Sequence, residues 1–311
     1  MDQERANFIV KEDIKEVLGQ SEVKRQLKSA VIMKRHTIIV GPPGIGKTTI
    51  VKSLTKILPK IKDEEGKLVD APFIRVQGSP DLTAEDLLGD IDPVKALKHG
   101  STSQEAFNPG KIFKADKGIL FFDEVNRCSE KLQNALLQVL EEKIVTIGSY
   151  DIDFDADILV IATMNPEESS TEPLSDVFLD RFDVIYMDAP KKLETEVQIV
   201  KSKGQKLVDF PEDLLVTTIN FIRTLRKSKD LEKHPSVRAT LGIYERAQSN
   251  AYLSAKKEVE LQEIKEAMIN VLSHRIRLKP SIRYTKTSKD FLSEKFDEFF
   301  SDDTSLAGGY P

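Results

Sequence analysis

Short runs dominated by apolar residues recur along the first two thirds of the chain. They occupy residues 37–40, 72–76, 119–122, 158–163 and 184–187. Apolar runs of this length are typical of parallel strands that are buried on both faces of a sheet. Segments with apolar residues every three or four positions separate them, as in residues 129–142, and these predict helices. The alternation indicates an α/β domain with a doubly wound parallel sheet.

The pattern changes after Pro190, where strand signals cease. Helical periodicity continues through residues 193–207, 211–225, 236–253 and 259–278. We therefore expect an α/β domain over residues 1–189 and a small all-α domain over 190–280. Residues 281–311 end in SLAGGYP and are expected to form a partly disordered, frayed extension.

Two further segments interrupt the strand and helix alternation. Residues 77–117 are polar and punctuated by glycine, with short helices expected near Leu87 and over residues 94–97. A long segment of this kind between core strands is often functional. Residues 144–147 and 150–154 alternate in polarity on either side of Gly148–Ser149, which predicts a β-hairpin.

The strand at residues 37–40 leads directly into GPPGIGKT, residues 41–48, and a helical pattern follows it. This segment fits the phosphate-loop pattern at every fixed position. Glycines let successive backbone N–H groups point at an anion, and the helix N-terminus adds its positive dipole end. Lys47 can reach the β- and γ-phosphates, and the Thr48 hydroxyl can bind Mg²⁺. The predicted nucleotide-binding residues are Gly41, Pro42, Pro43, Gly44, Ile45, Gly46, Lys47, Thr48 and Thr49.

Polar residues also follow two later strands. Asp123 and Glu124 come directly after the apolar run at 119–122, and Asn165 follows the strand at 158–163. The carboxyl ends of parallel strands form the ligand-binding edge of such sheets. Asp123 can hold Mg²⁺ there, partly through its water shell, and Glu124 can polarise the attacking water. We expect the Asn165 strand to lie between the other two, so that Asn165 can reach the γ-phosphate or the water.

Composition narrows the class of protein further. The chain has 311 residues, of which 40% are hydrophobic and 31% charged, with a net charge of -5. These values describe a soluble globular protein with no general affinity for nucleic acid or acidic membranes. The single cysteine, Cys128, excludes an intrachain disulfide and suits a cytoplasmic location. No run reaches transmembrane length, the N-terminus is no signal peptide, and the histidines show no metal-ligand spacing.

Taken together, these motifs resemble those of the AAA+ ATPases, in the branch of the magnesium chelatase ATPase subunit and the MoxR-type ATPases. The resemblance extends over residues 17–277. Beyond the phosphate loop it rests on residues 89–110, on GILFFDEVN (118–126) and on ATMNPEE to LDRF (162–182). It implies a Mg²⁺-dependent ATPase whose all-α domain is a lid.

The resemblance also implies roles for individual residues. Thr48 and Asp123 match the Mg²⁺ residues, Glu124 the catalytic base and Asn165 the first sensor. Arg181, in LDRF, matches an arginine finger that completes a neighbouring subunit's ATP site, where it would stabilise the charge on the γ-phosphate. Arg238, in SVRAT, matches the second sensor, with action on its own nucleotide or on a neighbour's left open.

An arginine that acts on a neighbour requires head-to-tail contacts, which close into rings, and the resemblance implies a homo-hexamer. The chain has no metal-adhesion motif of the D-x-S-x-S type, so we expect a von Willebrand A-domain or chelatase-type partner subunit. The insertion at 78–110 and MNPEE resemble the chelatase form. Asn126–Arg127 and the segment at 172–175 resemble the MoxR form instead.

Particular residues disfavour two other functions. Helicases of the minichromosome maintenance type grip DNA with a basic hairpin tip, but here the tip is followed by acidic residues, Asp151, Asp153, Asp155 and Asp157. These carboxylates would repel phosphates, which disfavours a DNA translocase. A scaffold that binds ATP but scarcely hydrolyses it is disfavoured by the presence of Glu124, Asn165 and Arg181.

Overall fold

The chain divides into two units near residue 187, with the short segment Pro43–Ile45 grouped with the second. The structure is a computed structural model that describes residues 3–63, 65–100, 103–146, 153–166 and 174–302. Unit 1 comprises Met1–Pro42 and Gly46–Met187, and unit 2 comprises Pro43–Ile45 and Asp188–Pro311.

Unit 1 alternates strands and helices along the chain. Its elements are α1 (Gln3–Lys11), α2 (Ser21–Met33), β1 (Thr37–Val40), α3 (Lys47–Leu54), β2 (Ile61–Lys62), β3 (Leu68–Val69), β4 (Phe73–Gln77), α4 (Ala84–Leu88), β5 (Gly89–Ile91), α5 (Pro93–His99), β6 (Phe107–Pro109), α6 (Lys111–Lys114), β7 (Ile119–Asp123), α7 (Glu130–Glu142), β8 (Ile144–Thr146), β9 (Asp153–Asp155), β10 (Leu159–Met164), α8 (Asp176–Leu179) and β11 (Asp183–Tyr186).

Five parallel strands form the central sheet, in the order β11-β1-β10-β7-β4. The predicted doubly wound parallel sheet is confirmed, and so is the position of the Asn165 strand, β10, between β1 and β7. Because all five strands run the same way, their carboxyl ends lie at one edge. That edge carries the residues that follow β1, β7 and β10.

Both faces of this sheet are covered, which explains the nearly uninterrupted apolar runs. Leu120 and Phe122 point to one face and share a core with Leu132 and Leu136 of α7. Phe121, on the opposite face, is also fully buried. Helices α2 and α3 contact β11 and β10, respectively. The central strands β1, β7 and β10 are therefore held by burial on both sides, as in other parallel sheets.

His36 is a buried polar residue at the start of β1. Its Nδ1 accepts a hydrogen bond from the Val160 N–H at 3.0 Å, so its Nε2 carries the proton and donates to the Leu140 carbonyl at 3.2 Å. Burial lowers the pKa of His36 from 6.5 to about 4. The folded protein therefore holds this imidazole in its neutral form at pH 5 to 7.

This burial predicts a loss of stability in mild acid. The unfolded chain binds a proton at His36 below pH 6.5, whereas the folded chain binds it only near pH 4. The stabilisation is complete above pH 6.5 and is lost as the pH falls towards 4. We expect His36 to lower the free energy of unfolding by about 2 kcal/mol between pH 7.5 and 5. Urea unfolding of the wild type and of His36→Gln at both pH values measures this loss. If the free energy of unfolding changes equally with pH in the two proteins, the prediction is contradicted.

The insertion contains the two predicted short helices. Thr83 caps α4 through a reciprocal pair of hydrogen bonds with Asp86, and Asp92 accepts from the Val94 and Lys95 N–H groups at the start of α5. The antiparallel pair β5–β6 was not predicted. The predicted hairpin is confirmed for its arms, β8 and β9, while its tip and Asp151 lie outside the described residues.

Unit 2 is mainly helical and has its own core. Its elements are α9 (Leu193–Lys203), α10 (Glu212–Arg226), β12 (Leu231–Lys233), α11 (Val237–Leu253), α12 (Leu261–Leu272), β13 (Arg277–Leu278), α13 (Pro280–Arg283) and α14 (Ser288–Asp302). The antiparallel pair β12–β13 departs from the all-α prediction. Helix α14 lies within the extension that was expected to be partly disordered, and its Phe291, Leu292 and Phe296 are buried in this core. The terminal SLAGGYP lies outside the described residues.

A buried ion-pair network lies within unit 2. Glu196 of α9 is fully buried and accepts hydrogen bonds from Arg226 at 2.6 and 2.7 Å, from Arg223 at 3.1 Å and from Thr240 at 2.8 Å. Burial alone would raise the pKa of Glu196, but the bonds and charge of Arg226, together with the other two donors, outweigh it and lower the pKa. Arg226 also donates to the Pro235 carbonyl at 2.8 Å, which ties α9 and α10 to the chain just before α11.

The structure also bears on the single cysteine and on the apolar length of the helices. Cys128 is buried, and burial raises the pKa of its thiol to about 11, which leaves it unreactive at neutral pH. Within the described ranges, no helix combines the length and apolar character needed to cross a bilayer.

Candidate nucleotide site

The phosphate loop follows β1 at the carboxyl edge of the sheet. The Gly41 N–H donates to the Met164 carbonyl at 3.1 Å, which fixes the first residue of the loop beside β10. Gly46 has φ +100°, a left-handed conformation that favours glycine, and it directly precedes α3. The loop thus ends at a helix N-terminus, whose unpaired N–H groups favour an anion. Thr49 lies exposed in the first turn of α3.

The Lys47 ammonium is folded over the beginning of this loop. It donates to the carbonyls of Gly41 at 2.5 Å and Pro42 at 2.8 Å, and the residue is 9% exposed. Its positive charge is therefore fixed within the loop by backbone oxygens. A phosphate group at the loop would meet this charge without the lysine having to approach from solvent.

Asp123, the last residue of β7, lies opposite the start of α3. The Thr48 hydroxyl donates to Asp123 Oδ2 at 3.3 Å. On the other side, the Thr163 hydroxyl donates to Asp123 Oδ1 at 2.7 Å. Asp123 is 8% exposed, so this carboxylate is held in a fixed orientation with one oxygen facing Thr48.

Glu124 follows in a strained backbone conformation. Its φ of 59° and ψ of 52° lie in the left-handed region, which a residue other than glycine rarely adopts. The Glu124 N–H donates to Thr163 Oγ1 at 2.9 Å, and Oε2 accepts from Gln77 Nε2 at 3.0 Å and contacts Arg127 at 3.2 Å. The Glu124 carboxylate is thus oriented by Gln77, at the end of β4, and by Arg127.

Gly78 allows the chain after β4 to lie against this turn. Its N–H donates to the Asp123 carbonyl at 2.7 Å, and a Cβ added at Gly78 would lie 2.1 Å from the Glu124 carbonyl oxygen. Any side chain here would displace the turn that carries Glu124. The glycine at this position is therefore needed for the close approach of two backbones.

Asn165 follows β10 at the same edge. It is half-buried, and its carbonyl accepts a hydrogen bond from Asn126 Nδ2 at 3.2 Å. The structure thus brings the ends of β1, β7 and β10 together, with Lys47, Thr48, Asp123, Glu124 and Asn165 at adjoining positions.

Arg181 lies at the opposite edge. It comes just before β11, whose first residue, Asp183, is in register with Thr37 at the start of β1. The phosphate loop follows the far end of β1, about 10 Å further along the strand direction. Arg181 donates to Glu141 at 2.7 Å and to the Val177 carbonyl at 2.7 Å, and the bond to Glu141 raises its pKa. Arg181 is not brought together with the other predicted residues of its own chain.

Arg238 lies in unit 2. It is exposed in the first turn of α11, after Ser236, which occupies the N-cap position.

The residues at the carboxyl edge suit a hard cation. Thr48 and Asp123 present a hydroxyl and a carboxylate oxygen, which are the kinds of ligand that Mg²⁺ prefers, and this cation also keeps several waters. In the described part of the chain, no group of three or more histidine, cysteine or acidic side chains converges as a metal site. The donor set therefore fits Mg²⁺ held by few protein ligands.

Four supporting residues were missed from the sequence. Thr163 links Asp123 and Glu124, Arg75 donates to Asp123 Oδ2 at 2.6 Å, and Gln77 and Arg127 contact Glu124. A signal existed for Arg75 and Gln77, since two long polar side chains alternate near the carboxyl end of an otherwise apolar strand. Thr163 offered no comparable signal.

Known proteins that are similar to this chain identify its family. The family profile described as magnesium chelatase, subunit ChlI, matches residues 13–177, and the profile of the AAA lid domain matches residues 224–294. The chain is 28% identical to chaperone MoxR1 of Mycobacterium tuberculosis, a match that covers 88% of this chain and 75% of that protein. It is 26% identical to magnesium-chelatase subunit ChlI of Olisthodiscus luteus, with 91% and 95% covered.

Among solved structures, a complex of subunits BchI and BchD of magnesium chelatase is 20% identical, with 88% of this chain and 98% of that chain covered. Its TM-score is 0.48. The ChlI profile covers more than half of the 311 residues. The chain therefore belongs to the magnesium chelatase ChlI family, whose members are ATPases of the AAA+ class.

Proposed function

We propose that this chain is the Mg²⁺-dependent ATPase of a ring-shaped motor that remodels a partner protein. The observation that carries the proposal is the convergence of Thr48, Asp123 and Glu124, in which Thr48 bonds to Asp123 and Thr163 links Asp123 with Glu124. A phosphate cradle, a cation site and a carboxylate for the attacking water thus lie at one edge of the sheet. The role assigned is most like that of the ATPase subunit in a magnesium chelatase-type complex.

The chemistry of hydrolysis is divided among these residues. The loop from Gly41 to Thr49 binds the phosphates, with Lys47 supplying a fixed positive charge. Mg²⁺, held by Thr48 and Asp123, would neutralise charge on the β- and γ-phosphates. Glu124 orients the attacking water and accepts its proton, and Asn165 senses the γ-phosphate.

Two arginines complete the proposal. Arg181, remote from its own chain's site, serves a neighbouring subunit, which requires a homo-oligomeric ring, as in a hexamer. Arg238 acts as the second sensor, on a nucleotide of its own chain or of its neighbour. We further propose a division near residues 189 and 190 into an ATPase domain and a lid, and a cytoplasmic location.

The second candidate is a MoxR-type chaperone ATPase that acts with a von Willebrand A-domain partner in metal-cofactor insertion or complex maturation. Arg127 favours it, because this arginine stands where the sequence departs from the chelatase form and contacts Glu124 at 3.2 Å. The match to MoxR1 over 306 residues also favours it. In both roles, we propose that the chain neither binds nucleic acid nor inserts into a membrane.

Partner capture separates the two candidates. A tagged Glu124→Gln chain, loaded with Mg²⁺ and ATP, is expected to retain its partner from native lysate, because the ATP state persists. Lys47→Ala, which should bind nucleotide poorly, is the matched control. A porphyrin-binding large subunit supports the chelatase role, and a von Willebrand A-domain protein without porphyrin supports the chaperone role. Equal recovery with both variants would contradict an ATP-dependent interaction.

A further inference from the structure

The Asp123 carboxylate is paired with a positively charged side chain that has no role in the proposed hydrolysis. Its side chain is only 11% exposed, and a buried carboxylate requires charge compensation. Arg75 Nη2 lies 2.6 Å from Asp123 Oδ2. The same nitrogen also donates to Gln77 Oε1 at 3.2 Å.

This guanidinium contacts the oxygen that faces the proposed cation site. Oδ2 is also the acceptor of the Thr48 hydroxyl, and Thr48 and Asp123 are the residues assigned to Mg²⁺. An arginine remains protonated at any physiological pH. Two cations at one carboxylate oxygen repel each other, so Arg75 and Mg²⁺ compete for the charge of Asp123.

Arg75 has room to leave this position. Its side chain is 53% exposed, and β4, which carries it, is the terminal strand of the sheet next to β7. The other contacts of Asp123, with Thr48 and Thr163, come from hydroxyl groups that carry no charge. Departure of Arg75 would therefore leave the carboxylate oriented but without its cation.

We propose that Arg75 is an exchangeable counter-cation: it neutralises Asp123 when no metal is bound, and an incoming divalent cation displaces it. Arg75 thus sets the Mg²⁺ concentration at which the nucleotide site is loaded. This inference rests on the proposed function, because it takes Thr48 and Asp123 as the Mg²⁺ residues.

The test measures the Mg²⁺ requirement of nucleotide binding. Fluorescent ADP is added to the full chain at fixed concentration, and free Mg²⁺ is varied. For Arg75→Gln we expect the half-saturating Mg²⁺ concentration to fall about fivefold or more, since the competing charge is gone. In EDTA, the same variant should unfold at lower temperature than the wild type, because Asp123 has lost its counter-charge. Arg75→Lys retains the charge, so its half-saturating Mg²⁺ concentration and its unfolding temperature in EDTA should both lie closer to those of the wild type.

Arg127→Gln is the matched control, because it removes an equal charge that contacts Glu124 instead of Asp123. Its Mg²⁺ midpoint should change by less than that of Arg75→Gln. If the half-saturating Mg²⁺ concentration of Arg75→Gln is unchanged or raised, the inference is overturned. A raised value would assign Arg75 a stabilising role in the metal-loaded site instead. Asp123→Asn checks the premise: if it leaves the midpoint unaltered, the Mg²⁺ assignment itself fails and the inference with it.

Discussion

Glu124→Gln is expected to lower ATP turnover about 100-fold or more, while Mg²⁺-dependent ATP binding stays within about twofold of the wild type. Glutamine matches glutamate in size and retains a carbonyl oxygen that can accept from Gln77, but it cannot take a proton from water. Phosphate release measures turnover, and a fluorescent ATP analogue measures binding. A loss of turnover without a loss of ATP binding would assign Glu124 to the chemical step of hydrolysis.

The control for this prediction is Glu142→Gln, the same change at an exposed position in the last turn of α7. It should leave turnover unaltered. Equal turnover of wild type and Glu124→Gln would contradict the role of Glu124 as base. Loss of binding together with turnover would instead point to a displaced turn, which the close packing of Gly78 on Glu124 makes possible.

The sheet and the principal site residues could be predicted because their signals are local. The apolar runs of β1, β7 and β10 identify buried parallel strands, and the phosphate loop has fixed spacing. Parallel strands place their carboxyl ends at one edge, so Thr48, Asp123 and Asn165 were expected to lie near one another.

The supporting contacts depend on side chains from strands that are distant in sequence. Thr163 orients Asp123 and Glu124 from forty residues away, and a buried threonine at a strand end has no distinctive pattern. Helix α14 was not predicted for a different reason. Its phenylalanines and Leu292 are surrounded by charged residues, which leaves only a weak helical pattern. Burial of Phe291 and Phe296 in the core of unit 2 stabilises that helix.

Arg181→Ala is expected to lower turnover about 1,000-fold or more if the guanidinium completes a neighbour's site. Arg181 lies at the amino edge of the sheet, whereas Lys47, Asp123 and Glu124 lie at the carboxyl edge of the same chain. A direct action of the Arg181 guanidinium on hydrolysis therefore requires the site of another subunit. Binding of ATP by the isolated chain should be unchanged. Arg35→Ala is the matched control, because Arg35 forms an exposed ion pair with Asp183 at the same edge.

Mixing two inactive variants separates action between subunits from action within one. In a 1:1 mixture of Arg181→Ala and Glu124→Gln chains, about a quarter of the contacts pair an intact Glu124 with a neighbour's intact Arg181. Turnover should recover to about that fraction of the wild-type rate. This recovered turnover should disappear on dilution, because the oligomer dissociates. If the mixture stays inactive while oligomers form, or if dilute monomers hydrolyse ATP fully, Arg181 does not act on a neighbouring site and the shared pocket must be abandoned.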